Sequence, residues 1–268
     1  MYKKKSLRVV TLLLLAAIVV LAGYGVYSMT VSNPQVYEQI EISEHIQTII
    51  RNQYPQQFSH YLEMYKRLLF DLHVSPEFHL LTDTLLEEGY MLTDVLTAYD
   101  FLYQQYGTGE ELRTLLQNKR SGQSWETLFQ AYLQNNSFMP RAFDSDYLEE
   151  LLNSVSISSD DIMISDRLSY ESGANFEELL NRKMEGESWQ QISTNLNILN
   201  SADQLPRVEV TQEKLDQYRS VGLTDDQTVN ALVLADKLSM TEQTVIDLVK
   251  AGQSEAQILA TGYLEKYR

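Results

Sequence analysis

The chain has 268 residues, 44% of them hydrophobic, which is enough to bury a real core in one long or two ordinary domains and too apolar for disorder throughout. It has no cysteine, which excludes disulfide staples, thiolate metal sites and a cysteine nucleophile together. The formal charge is −16, and since residues 1–28 hold Lys3, Lys4, Lys5 and Arg8 without an acid, the remainder carries −20. Such a field repels nucleic-acid phosphates and anionic membrane surfaces but not a cationic partner.

Residues 2–8 are basic, and Val9 to Tyr27 is an uncharged run of nineteen residues rich in Leu, Val and Ala. That length suits one membrane-spanning helix, which needs about 20 apolar residues. The preceding positive charges predict a cytoplasmic N-terminus and place everything after Ser28 outside a plasma membrane. A cleaved signal peptide is the alternative, with Val26 and Ser28 as small residues before a cut at Met29; the protein is then secreted. The anchor is preferred because the apolar run exceeds a usual signal core. Leu21-Ala22-Gly23 is followed by Tyr24 where a lipoprotein would carry its acylated cysteine, so lipidation there is excluded.

Residues 29–36, with Ser32, Asn33 and Pro34, read as a linker. Helical periodicity runs over Val36 to Arg51, breaks at Tyr54-Pro55 and resumes over Phe58 to Leu72, with Leu62, Tyr65, Leu68, Leu69 and Leu72 on one face. Pro76 suits the first turn of the next helix. No strand pair or hairpin turn is found, so the predicted fold class is all-α, with residues 29–78 as linker and N-terminal helices.

Shifting the sequence against itself exposes a repeat. Residues 145–202 overlay 211–268 without a gap at an offset of 66: Asp160 on Asp226, Leu168 on Leu234, Leu179-Leu180 on Val245-Ile246, and Gly186, Ser188 and Ile192 on Gly252, Ser254 and Ile258. Upstream, Leu85-Leu86 and Asp94 precede Leu151-Leu152 and Asp160 by 66 residues, and Gly122 and Trp125 continue at 64. Three helical repeats are predicted, at 79–144, 145–210 and 211–268. Each has four short helices, in the second near 146–155, 160–171, 175–184 and 189–198. The punctuation is a corner that recurs as Gly122-Gln123-Ser124-Trp125, Gly186-Glu187-Ser188-Trp189 and Gly252-Gln253-Ser254-Glu255. Glycine takes the positive-φ position after one helix and serine caps the next. Ser188 with Gln191 and Ser254 with Gln257 have capping-box spacing, which Thr127 breaks in the first copy. Short amphipathic hairpins bury their apolar stripes by stacking, so the expectation is an α-solenoid-like pile.

The acidic pairs Glu110-Glu111, Asp160-Asp161, Glu177-Glu178 and Asp225-Asp226 fall in predicted first turns, where negative charge complements the helix dipole. His45, His60, His73 and His79 have no i, i+4 metal spacing, and neither a Gly-x-Ser-x-Gly elbow nor a Gly-rich phosphate loop occurs. No catalytic residue, metal or cofactor is predicted. Trp125 and Trp189, at the recurring corner, are the candidate partner-binding residues, either as platforms for a sugar or peptide or as packing on the preceding helix.

Glu171-Ser172-Gly173 resembles the segment around the general acid of lytic transglycosylases, helical enzymes that cleave peptidoglycan. The resemblance implies that role for Glu171, although the Gly-Leu-Met-Gln-type segment of that family has no counterpart downstream. Ala235 to Val245, and Gly186 to Ile192, are similar to parts of helix-turn-helix motifs. Glu242 and Asp247 on the would-be recognition helix oppose phosphate, so no nucleic-acid partner is expected. The sequence reads as a membrane-anchored or exported acidic helical-repeat scaffold of the bacterial envelope that binds a protein or peptide. A peptidoglycan-cleaving enzyme and a passive structural spacer are the alternatives.

Overall fold

The structure, a computed structural model, describes residues 37–154 and 156–268, and these contain fourteen α-helices and no strand. The predicted anchor and linker lie outside the described residues, and no described helix is long and apolar enough to cross a membrane. The helices are α1 (Glu44–Gln53), α2 (Phe58–Asp71), α3 (Pro76–Glu87), α4 (Leu92–Gln105), α5 (Gly109–Arg120), α6 (Trp125–Asn135), α7 (Ser145–Asn153), α8 (Ser159–Ser172), α9 (Phe176–Met184), α10 (Trp189–Asn195), α11 (Gln212–Ser220), α12 (Asp225–Leu238), α13 (Glu242–Lys250) and α14 (Glu255–Lys266). The first begins later than its periodicity predicts, because Ser43 accepts the Ile46 amide at 3.3 Å and fixes the cap there.

The recurring corners form as the spacing predicts. Gly122, Gly186 and Gly252 have φ of 100°, 98° and 80°, a region open to glycine at no steric penalty. Ser124, Ser188 and Ser254 cap α6, α10 and α14, with full capping boxes at the last two. The four acidic pairs sit in the first turns of α5, α8, α9 and α12.

Packing is organised around α4, whose residues from Val95 to Tyr103 are all buried. A helix apolar on every side belongs in the middle. Helices α2, α3 and α5 pack on it, α1 packs on α2 and α3, and α6 lies between α5 and α14. Phe101 of α4 stacks on Phe129 of α6 at 4.0 Å, and Tyr263 of α14 meets Phe129 edge-on at 5.9 Å. The principal core therefore joins α1–α6 to α11–α14. Helices α7–α10 have two smaller cores, one around Leu168, Trp189 and Ile192 and one around Ile162, Phe176 and Leu180. Gly262 permits the crossing of α14 over α12, since a Cβ there would lie 2.6 Å from Leu238 Cδ1.

The predicted helix 189–198 stops at Asn195, and the reason is a strap. Asn197 takes φ 59°, after which the chain lies against the turn that follows α4 and the end of α2. Leu199 N–H donates to Gly107 O at 2.9 Å, Gly109 N–H to Asn197 O at 3.2 Å and the Asn200 amide to Tyr103 O at 2.9 Å. Ser201 Oγ donates to Leu72 O at 3.0 Å. Thr108 and Ile198 form an isolated antiparallel bridge there. Backbone groups that would have closed another helical turn are satisfied by a neighbouring chain segment instead.

Candidate functional site

Trp125 and Trp189 are the first residues of α6 and α10, and the fold turns both inward, leaving 3% and 0% of their surface exposed. The Trp189 indole N–H donates to Asp161 Oδ1 at 2.8 Å, and Lys183 Nζ lies 5.4 Å from the ring centroid and 4.0 Å from the same oxygen. At the earlier corner Lys119 lies 5.5 Å from the Trp125 ring, and the Trp125 indole acts on the Asp94 carboxyl in the same sense, favouring its ionised form. Asp94 and Asp161 are the third residues of α4 and α8. One arrangement of lysine, indole and carboxylate is thus built twice. These are packing positions: each indole is buried with a cation against its ring, and the Trp189 N–H is occupied.

The two carboxylates titrate in opposite directions, and local capping explains it. Burial raises Asp94, and the Lys119 charge and the Trp125 indole do not offset it. Burial also acts upward on Asp161, but hydrogen bonds from the side chain and backbone of Ser158, then Trp189 and Lys183, hold it below the ordinary carboxylate value. Ser158 donates its N–H and its hydroxyl to Asp161 Oδ2 at 2.8 and 2.7 Å within a capping box, whereas the N-cap of α4 is Met91, which offers no side-chain cap. In the third copy of the corner Glu255 replaces the indole and Gln227, the third residue of α12, replaces the carboxylate.

At the surface the Trp125 edge contributes to a groove of about 370 Å³ between the starts of α6 and α14, walled by Glu126, Gln257 and Ala260 and ending on Leu264, which is 55% exposed. A second groove, of about 500 Å³, opens at the α1–α2 turn, where the Arg51 guanidinium lies 4.3 Å from the centre of the Phe58 ring.

Glu171, the residue marked by the transglycosylase resemblance, stands in the last turn of α8 with 13% of its side chain exposed and Arg167 Nη2 at 2.8 Å. Arg167 also donates to Gln105 O at 2.7 Å and covers the Phe138 ring at 4.4 Å. Burial raises the Glu171 carboxyl above its ordinary range, Arg167 opposes this and the charge of Glu111 adds to it. Tyr132 is pushed up by the same burial and by Glu111 and Glu171. The cluster joins α5, α6 and α8, and Glu171 lines neither of the two grooves.

No known protein family, curated protein or solved structure matches the chain. Among the described residues no three His, Cys, Asp or Glu side chains are placed to hold a metal ion. The sequence reading missed Asp100, 1% exposed, which accepts from Lys266 Nζ at 2.7 Å and Tyr267 OH at 2.6 Å and so ties α14 to α4. A signal was present: Asp100 is a lone acid within the apolar run Leu96 to Leu102.

Proposed function

We propose that the chain is a scaffold of three stacked four-helix modules, held outside a plasma membrane by its segment 9–27, that binds another protein or a peptide. The observation that carries this reading is the recurrence of one corner with one set of caps, since modules of this kind create extended surfaces by stacking. The basic flank and the uncharged run at 9–27 supply the membrane attachment. The Asp161, Asp160 and Asp100 carboxylates are engaged within the fold, by Trp189, Arg207 and Lys266, while Leu264 and Leu152 keep about half their surface open. Cross-linking the full-length protein in intact cells should give a discrete, saturable adduct. Its absence supports a passive spacer and refutes the scaffold.

A second reading, a peptidoglycan-cleaving enzyme, draws on the raised Glu171 carboxyl, because a proton donor near neutral pH needs that direction. Against it, the Arg167 guanidinium at 2.8 Å favours the ionised form. Muropeptide release from peptidoglycan that disappears in Glu171→Gln would replace the scaffold with the enzyme.

A further inference from the structure

The helices α3, α7 and α11 occupy the same place before α4, α8 and α12, and their apolar residues have different fates. The helix starts Leu92 and Ser159 are 67 residues apart, one more than the sequence register of 66, and by that measure Leu85, Leu152 and Tyr218 each stand seven residues before the helix that follows, which begins at Leu92, Ser159 or Asp225. Leu85 is 0% exposed and Tyr218 5%, but Leu152 is 48% exposed. Leu85 is covered because α1 packs on α3, with Ile46 and Ile50 joining it in the principal core. No described helix packs along α7 in that way. It buries none of its residues fully, and Tyr147, Leu148 and Leu151 are only partly covered. On α9, Leu180 belongs to the core beneath these residues, and Met184, one turn further on the same face, is 44% exposed. The α7 stripe is thus seated on that core along one edge and left open along the other, at Leu152, and an amphipathic helix with an open apolar edge is half of a helix pair.

Charge selects the other half. Asp146, Glu149 and Glu150 stand exposed on α7 beside the stripe. A second copy of the chain would set these acids against its own, whereas a basic helix would pair with them. We propose that α7 is the docking face for a cationic amphipathic helix of a partner protein, seated on Leu148, Leu151 and Leu152 as α1 is seated on α3. This rests on the scaffold reading and gives it a partner class and a site.

The test uses the full-length chain in zwitterionic nanodiscs and a labelled synthetic helix carrying the Ile46, Ile49 and Ile50 stripe of α1 between lysines, with a glutamate-flanked version as control. The lysine peptide should bind saturably in fluorescence anisotropy, more weakly as salt rises, and at least about tenfold more weakly to Leu152→Glu. Glu149→Lys with Glu150→Lys should reverse the preference between the two peptides without touching an apolar residue. Equal binding of both peptides, or unchanged binding by Leu152→Glu with an unchanged circular dichroism spectrum, overturns the proposal. So does a concentration-dependent dimer that Leu152→Glu abolishes, since the occupant is then a second copy. If the cellular cross-link persists in Leu152→Glu, only the α7 assignment fails; if the wild-type chain gives none, the scaffold reading fails with it.

Discussion

Lys266→Met tests how the last helix is held to the first ones. Asp100 lies in the buried stretch of α4, and its Oδ2 accepts from two donors, Lys266 Nζ at 2.7 Å and Tyr267 OH at 2.6 Å. Its Oδ1 has no hydrogen-bond partner, so nothing else compensates the carboxylate. Methionine keeps most of the lysine stem and its packing while deleting the ammonium. Removing one member of a buried ion pair costs about 3–5 kcal/mol, most of it the penalty of the stranded charge. The lysine side chain is 31% exposed, so water screens the pair, and the expected loss falls to about 2–3 kcal/mol. Urea unfolding followed by far-ultraviolet circular dichroism should show the midpoint falling accordingly. Adding Asp100→Asn to Lys266→Met should recover at least half of the loss, because the stranded charge goes with it. A loss below about 0.5 kcal/mol for Lys266→Met, or no recovery in the double variant, would refute the idea that this pair closes the fold.

Gly262→Ala should cost about 1–3 kcal/mol in the same unfolding assay, because its Cβ would meet Leu238 Cδ1 at 2.6 Å and Cδ2 at 2.9 Å; combined with Leu238→Ala the two losses should sum to less than their parts. Trp189→Phe should cost about 1.5–3 kcal/mol at neutral pH by deleting the donor to Asp161. Because that carboxyl is held below its ordinary value, its contribution is present above pH about 4 and lost as pH falls through the folded value, so the variant should lose less stability than wild type on acidification. Glu171 has the opposite sign: its carboxyl is raised by burial, so the folded state holds the proton longer and stability declines as pH rises above about 4.5. Glu171→Gln should make that decline shallower, read from urea midpoints between pH 4 and 7.

The helices and their corners were legible in the sequence because both are local. A serine cap, a glycine in the left-handed region and a charged first turn act within a few residues, and Ser188, Gly186 and the pair Asp160-Asp161 stand where those rules put them. What was not legible is long-range. The strap at Asn197 to Ser201 exists because backbone groups near Gly107 and Leu72 are in reach to satisfy it, and nothing within its own sequence declares this. Trp125 and Trp189 illustrate the same boundary, since recurrence identified the positions but only the placement of Asp94 and Asp161 decides which way an indole turns. Asp100 could be noticed as an acid in an apolar run, yet its partners lie more than 160 residues away.

The substitutions at the third corner follow from where α14 lies. In α6 and α10 the leading indole is buried and comes with a carboxylate, and at α10 the two depend on each other: without Trp189 the Asp161 carboxylate loses a donor, and without Asp161 the indole N–H loses its acceptor. Helix α14 meets α6 on one side and α12 on another, so Ala256, Ile258, Leu259, Ala260 and Tyr263 are buried without any indole at the corner. The acceptor position there is Gln227, whose side chain turns back to its own cap and receives the Thr224 N–H at 2.9 Å. Helix α7 is the complementary case: its stripe is kept, and no described helix covers it as α1 covers α3. Where neighbours enclose a helix, as at α14, the polar and aromatic dressing has been exchanged as a set. Where they do not, the apolar residues remain, and Leu152 stays half exposed beside three acids, which is the combination of surfaces that the proposed cationic amphipathic helix would match.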